Sequence, residues 1–169
     1  EMKAREGVDV QPILDPVQDT APGAAEIGFH RAAHRNCSDI LWQNLERNPD
    51  KLAVIGPLGS MTYRELAAEA GRWGNAFAGR GLQRGERIAF FLDDTPSFPA
   101  AFFGAVRAGF VPVLLNIQTK TDVLNYFLQD TGARLAVVDA DLAQLFSGNT
   151  LDGTSLQVVV VTNGPAPDG

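Results

Sequence analysis

The stretch from Met61 to Asn116 constrains the fold of this chain more than any other part of its sequence. It predicts a helix that ends near Gly81, a buried strand at 87–92, an apolar helix that ends at Gly109 and a second strand. Both strands are continuous apolar runs, which are typical of strands covered on both faces. The stretch therefore predicts parallel strands joined by a helix.

Two helix starts can be read from polar residues that precede apolar periodicity. Thr62 and Glu65 have the spacing of a capping box, in which the side chain of each accepts a hydrogen bond from the backbone N–H of the other. Thr119 or Asp122 offers the cap of a later helix, and Gly132 marks its end. These signals predict helices on either side of the two strands.

Before this stretch, the sequence predicts a short helix and a small hairpin. Ser38 is placed to cap a helix whose apolar side carries Ile40, Leu41 and Leu45. A short β run at 52–55 then pairs across a turn with the residues just before the first long helix.

Two further apolar runs, at 135–138 and 157–161, predict a third and a fourth buried strand, with a short helix between them. The fold class that follows is α/β, a mostly parallel, doubly wound sheet with helices on both faces and right-handed crossovers. We divide the chain into an extended N-terminal arm (1–35), an α/β unit (36–162) and a terminal loop (163–169).

Composition excludes several classes of partner. The net charge is -6 and the basic residues are scattered, which argues against nucleic acid and against an anionic membrane surface. No apolar segment is long enough to span a membrane, and the N-terminal residues contain no signal-peptide core. Cys37 is the only cysteine, so an intrachain disulfide is impossible. The sequence therefore predicts a cytoplasmic protein.

Glycines and histidines suggest two sites that the spacing does not support. Gly79, Gly81 and Gly85 end a helix before a strand, whereas a dinucleotide fingerprint follows a strand and opens a helix. His30 and His34, together with Cys37, could share one face of a helix and hold zinc, but no fourth ligand is evident. We therefore predict neither a metal site nor, in the absence of G-x-S-x-G, a nucleophile.

Polar residues follow the predicted strands at the edge where ligands bind in parallel sheets. Asp93 and Asp94 could serve acid–base chemistry or hold magnesium, but the interpretation we favour is that they stabilise the start of the next helix. Asn116 and Asp139 end the next two strands, and the simplest role of the Asn116 side chain is to satisfy a turn.

A series of short motifs in order resembles the AMP-forming acyl-CoA synthetase (adenylate-forming) superfamily and is most similar to its benzoate-CoA ligase group. The matching segments are Pro49–Val54, Met61–Leu66, Gly81–Arg87, Ala101–Gly109, Val111–Asn116 and Ala133–Val138. The resemblance covers roughly residues 36 to 161 and implies that the α/β unit is the N-terminal subdomain of such an enzyme.

The resemblance implies a parent enzyme that uses ATP, magnesium and CoA to turn a carboxylic acid, aryl or small acyl, into an acyl-adenylate and then a thioester. The family's phosphate loop, adenine segment, ribose-binding Asp, hinge and catalytic Lys match nowhere here. We therefore predict no catalytic residue, no cofactor bound to this fragment and no activity from it alone. Asn116 and Gln118 are candidates for the CoA side of the site, because they match the segment after the family's Pro-x-x-Asn.

Two alternatives remain open. The chain could belong to the adenylation domain of a peptide synthetase, or it could be a stand-alone, non-catalytic α/β binding module. If it is a subdomain, the missing domains bring the acid, ATP and CoA, and the surface they would cover should be apolar. We therefore predict that the isolated chain self-associates.

Overall fold

The computed structural model describes residues 9–12 and 36–165, which contain seven strands and four α-helices. In chain order the elements are β1 (Asp9–Pro12), α1 (Asp39–Arg47), β2 (Leu52–Gly56), β3 (Gly59–Thr62), α2 (Tyr63–Ala78), β4 (Arg87–Phe91), α3 (Ser97–Ala108), β5 (Val111–Leu114), α4 (Thr121–Thr131), β6 (Leu135–Asp139) and β7 (Val158–Thr162). Two 3₁₀ turns, Ala143–Leu145 and Gly148–Leu151, lie between β6 and β7. The first of them replaces the short helix that the sequence predicts there.

The main sheet has five strands in the order β1-β7-β6-β4-β5, and every neighbouring pair is parallel. The predicted parallel sheet is confirmed. From β4 the chain crosses through α3 to β5 on one side, and α4 then returns it to β6 on the other side of β4. The winding direction therefore reverses between β4 and β6. The predicted hairpin is also confirmed, as the antiparallel pair β2–β3.

The sheet is covered on both faces, as the unbroken apolar runs predict. Ile88 and Phe90 of β4 point into a core shared with α1, α2 and α3. Ala89 and Phe91 point the opposite way, into a second core shared with α4 and the two 3₁₀ turns. Because successive side chains of a strand alternate between faces, a strand buried on both sides has no polar position left.

The helices α2 and α3 cross with almost no space between their backbones. A Cβ atom built on Gly104 would lie 2.5 Å from the carbonyl oxygen of Ala70 and 2.8 Å from the Cβ of Trp73. A Cβ atom on Gly74 would lie 3.0 Å from the carbonyl oxygen of Gly104. Two helices can approach this closely only where both lack side chains at the crossing.

The predicted capping box is present. The backbone N–H of Thr62 donates to Oε2 of Glu65 at 2.7 Å, and the backbone N–H of Glu65 donates to Oγ1 of Thr62 at 3.3 Å. The Thr62 backbone N–H and the Thr62 hydroxyl, which also donates to Oε2 of Glu65 at 2.9 Å, hold the pKa of Glu65 below its usual value. The predicted helix ends at Gly109 and Gly132 are also found, because both adopt the left-handed conformation.

Three local predictions are wrong. The Ser38 hydroxyl does not cap α1, since it accepts no hydrogen bond from the helix and donates to Oδ1 of Asn36 at 2.6 Å. Ile40, predicted to lie on the apolar side of the helix, is 61% exposed. Neither Thr119 nor Asp122 caps α4, which begins at Thr121 after Lys120 without a side-chain cap and has Asp122 in its first turn.

Strand β1 belongs to the predicted N-terminal arm, to which the sequence assigned no strand. It pairs with β7 in parallel, from Asp9 opposite Val158 to Pro12 opposite Val161. The other residues of the arm, His30 and His34 among them, lie outside the described residues.

Several large apolar side chains of the described residues are exposed. They are Ile40, Leu52, Ile55, Leu58, Val111, Leu114, Val123 and Tyr126. The self-association expected from such a surface stays a prediction. Within the part of the chain that the structure describes, no helix has the length and apolar character needed to cross a membrane.

Candidate functional site

The carboxyl ends of four parallel strands bring polar residues to one edge of the sheet. Asp93 follows β4, Asn116 follows β5, Asp139 ends β6 and Asn163 follows β7. This is the edge at which open parallel sheets bind ligands, usually where the winding direction reverses. The reversal between β4 and β6 is therefore the expected position of a ligand site.

The crevice between β4 and β6 is occupied by the chain's own side chains. Asp139 is only 4% exposed. Its Oδ2 accepts a hydrogen bond from the backbone N–H of Asp93 at 2.7 Å, and its Oδ1 accepts one from Nδ2 of Asn163. The position where a doubly wound fold commonly holds a ligand is thus filled by a buried carboxylate.

Asn163 links Asp139 to the residues at the start of α3. Its backbone is left-handed, with φ at 59°, a conformation in which asparagine is enriched among non-glycine residues. Its Nδ2 also donates to Oγ1 of Thr95 at 3.1 Å, and its Oδ1 accepts from the hydroxyl of Ser97 at 2.8 Å. We refer to Asp93, Thr95, Ser97, Asp139 and Asn163 as the Asp139 network.

Burial raises the pKa of Asp139 above its ordinary value of 3.8. The hydrogen bonds from Asp93 and Asn163 act in the opposite direction, because they stabilise the ionised carboxylate. The negative charges of Asp141 and Asp93 add to the effect of burial. The network therefore holds a carboxyl group that keeps its proton to higher pH than an exposed one.

An open depression of about 310 Å³ lies beside the network, between the loop after β4 and the loop after β5. Its lining residues are Leu92, Asp93, Asp94, Phe98, Leu114, Leu115, Asn116 and Ile117. None of them is Lys or Arg, and two are acidic. The depression can accept an apolar group, but it offers no cation to a phosphate.

The two residues predicted on the CoA side lie at this edge. Oδ1 of Asn116 accepts a hydrogen bond from the backbone N–H of Gln118 at 2.9 Å, so the Asn116 side chain does satisfy a turn. Both residues are exposed, and Asn116 lines the depression whereas Gln118 lies outside it. Their contact with a ligand stays a prediction.

Asp93 and Asp94 are exposed and precede Pro96, which occupies the N-cap position of α3 without a side-chain hydrogen bond. Within the described residues, no group of three His, Cys, Asp or Glu side chains lies close enough together to hold a metal ion. The depression beside Asp93 and Asp94 is lined by these two acidic residues and by no Lys or Arg, so it offers an anion such as a triphosphate repulsion and no ion pair.

The sequence predicts Asp93, Asn116 and Asp139 at one edge but does not single out Asn163, which falls in the predicted terminal loop. The available signal is a polar residue directly after the Val158–Thr162 strand. That signal locates Asn163 at the same edge, but its bridging hydrogen bonds depend on the folded positions of Thr95 and Ser97.

Comparisons with known proteins agree with this architecture. The family model described as AMP-binding enzyme matches residues 41–168. The 3-hydroxybenzoate–CoA ligase of Aromatoleum sp. (strain CIB) is 38% identical over 73% of this chain and 23% of its own length. The crystal structure of a benzoate CoA ligase from Burkholderia xenovorans LB400 superposes with a TM-score of 0.71 and 31% identity, over 79% of this chain and 27% of that one.

A peptide synthetase is also similar. The phosphinothricin tripeptide synthetase PhsC of Streptomyces viridochromogenes is 31% identical over 76% of this chain and 12% of its own length. The chain thus spans about a quarter of the curated ligase and a smaller share of the synthetase.

Proposed function

This chain belongs to the AMP-binding enzyme family, and we propose that residues 36–162 form the N-terminal subdomain of an ATP-dependent, AMP-forming carboxylic acid–CoA ligase. The observation that carries the proposal is the 38% identity to a 3-hydroxybenzoate–CoA ligase. We further propose an aryl acid as the substrate, because both the curated relative and the superposed crystal structure bear the names of aryl-acid ligases.

In the proposed reaction, the carboxylate of the acid attacks the α-phosphorus of ATP and releases pyrophosphate. The CoA thiol then displaces AMP from the acyl-adenylate. Magnesium would offset the phosphate charge in a longer protein that contains this chain. We also propose a cytoplasmic location, where ATP and CoA are both available.

The role we propose for this chain is structural support at one side of the site. The depression at the carboxyl edge carries Asp93 and Asp94 and no cation, so an isolated triphosphate would meet repulsion there. The chain of 169 residues should therefore form no AMP when mixed with ATP, benzoate and CoA.

The test compares this chain with the longer product of the same gene. With ATP and CoA, the longer product should form AMP and an acyl-CoA from benzoate, 3-hydroxybenzoate or anthranilate. Long-chain fatty acids and amino acids serve as the control substrates, and they should react far more slowly. Turnover by the 169-residue chain alone, or a preference of the longer product for a fatty acid, would contradict the proposal.

An adenylation domain of a peptide synthetase is the second candidate, supported by the match to PhsC. It would exchange pyrophosphate with ATP in the presence of an amino acid and pass the acyl group to a carrier domain in place of CoA. A stand-alone binding module is distinguished by calorimetry, because it alone would bind ATP or CoA tightly as the isolated chain.

We propose that Asn116 and Gln118 contact CoA in the longer protein, and substitutions separate this role from that of the turn. Asn116→Asp keeps the oxygen that accepts from the Gln118 N–H but replaces the Nδ2 donor. We expect Asn116→Asp, Asn116→Ala and Gln118→Ala each to raise the KM for CoA by about tenfold. Pyrophosphate release in the first half-reaction should change little. An effect confined to Asn116→Ala would assign the side chain to the turn alone.

A further inference from the structure

The strands of the main sheet are added in a regular order after β5. β6 lies beside β4 and β7 lies beside β6, so each new parallel strand extends the sheet in the same direction. Sequential strands of α/β folds are neighbours in most cases, and their crossovers have one hand. The next position in this series is the outer edge of β7.

In the described structure that position holds β1. Its four residues pair in register with Val158–Val161. β1 lies outside the segment that matches the family model, which begins at residue 41 and runs to residue 168. The strand on this edge therefore comes from the arm and not from the part of the chain shared with the family.

The alternation of the β7 backbone identifies the amides that face this edge. The carbonyl oxygen of Thr162 accepts from the N–H of Ala140 at 2.9 Å, and the N–H of Val158 donates toward β6. Because backbone groups alternate along a strand, the N–H of Val160 also faces β6, and those of Val159 and Val161 face β1.

We propose that the outer edge of β7 is the docking site of the next parallel strand of the longer protein, and that β1 covers this edge only while that strand is absent. The inference rests on the proposed function, in which the chain is one part of a longer ligase. β1 is suited to displacement, because it offers four paired positions where β6 offers five, and Pro12 has no N–H to donate.

The first test removes residues 1–35 from the 169-residue chain and measures amide hydrogen exchange. The amides of Val159 and Val161 should exchange at least about tenfold faster than in the intact chain. Val160 is the internal control, since its N–H faces β6, and its rate should stay unchanged. Unchanged exchange at all three amides would show that β1 does not cover the edge, and would overturn the proposal.

The second test keeps the arm and asks whether the longer protein releases it. Val10→Cys and Val159→Cys replace register partners of β1 and β7, in a background with Cys37→Ser. Ala136→Cys with Val159→Cys is the matched control, because these two positions are register partners of β6 and β7.

Under mild oxidation, the Val10→Cys/Val159→Cys pair should form a crosslink in the shorter chain and lose at least about 90% of it in the longer gene product. The control pair should crosslink equally in both. Equal crosslinking of the Val10→Cys/Val159→Cys pair in both proteins would overturn the proposal. The readout is independent of catalysis, so a longer product that prefers another acid would refute the proposed substrate without affecting this result.

Discussion

Replacing Gly104 with alanine is expected to lower the free energy of unfolding by about 1–3 kcal/mol, the range of an overpacked core. The new Cβ would lie 2.5 Å from the carbonyl oxygen of Ala70 and 2.9 Å from the backbone nitrogen of Gly74. Both are backbone atoms of α2, so no side-chain rotation relieves the overlap. The two helices would have to separate, and urea unfolding followed by circular dichroism measures the cost.

Gly71 provides the matched control, because it lies in the same helix α2 and a Cβ atom added there would meet nothing within 4 Å beyond its own helix backbone. Gly71→Ala should raise the free energy of unfolding by about 0.5–1 kcal/mol, since alanine loses less conformational entropy in a helix. Similar shifts for Gly71→Ala and Gly104→Ala would mean that helix propensity alone governs both positions.

The strands of the main sheet could be predicted because burial on both faces requires a continuous run of apolar residues in the sequence. Nearly every position of β4, β6 and β7 is apolar. This pattern excludes a strand with one solvent-exposed face. The capping box of Thr62 and Glu65 could be predicted for a similar reason, since both partners lie within one turn. In both cases, residues close together in the sequence were sufficient for the prediction.

Features that depend on distant neighbours could not be predicted. The close approach at Gly104 depends on Gly74 of α2 lying opposite it. The sequence of α3 alone gives no indication of that neighbour. β1 has no apolar run of its own, so its pairing with β7 leaves no signal in the local sequence.

The position of the candidate site could be predicted from the sequence, but its hydrogen bonds could not. The rule for parallel sheets placed Asp93, Asn116 and Asp139 at one edge, and the structure confirms this placement. The closure of the crevice by Asp139 was not predictable, because it requires Asn163 and the N–H of Asp93 to converge from different loops.

Replacing Asp139 with alanine is expected to lower the free energy of unfolding by about 1–3 kcal/mol, because two hydrogen bonds to its carboxylate are lost. Asp139→Asn is the matched control. The Oδ1 atom of the new asparagine can still accept from the N–H of Asp93. Its Nδ2 can donate to Oδ1 of Asn163 if the side-chain amide of Asn163 flips by about 180°. The Ser97 hydroxyl can then accept a hydrogen bond from Nδ2 of the flipped Asn163 side chain. Urea unfolding should therefore find Asp139→Asn clearly more stable than Asp139→Ala.

The pH dependence of Asp139→Asn follows from the raised pKa of Asp139, whose ordinary value is 3.8. Between that value and the raised one, the folded chain binds more protons at Asp139 than the unfolded chain. The contribution of this group to stability therefore falls as pH rises through that window, and the cost of the buried charge is complete above it.

The asparagine variant lacks this cost, so its free energy of unfolding relative to the original chain should rise as the pH is raised from about 3 to about 7. Glu65 and Glu86, whose pKa values are lowered, give the opposite slope, but they are present in both proteins and cancel in the difference. Urea unfolding of both proteins across this range measures the difference. A difference that is flat, or that falls with pH, would show that Asp139 is ionised at no cost in the folded chain, because its hydrogen bonds from Asp93 and Asn163 then fully offset its burial.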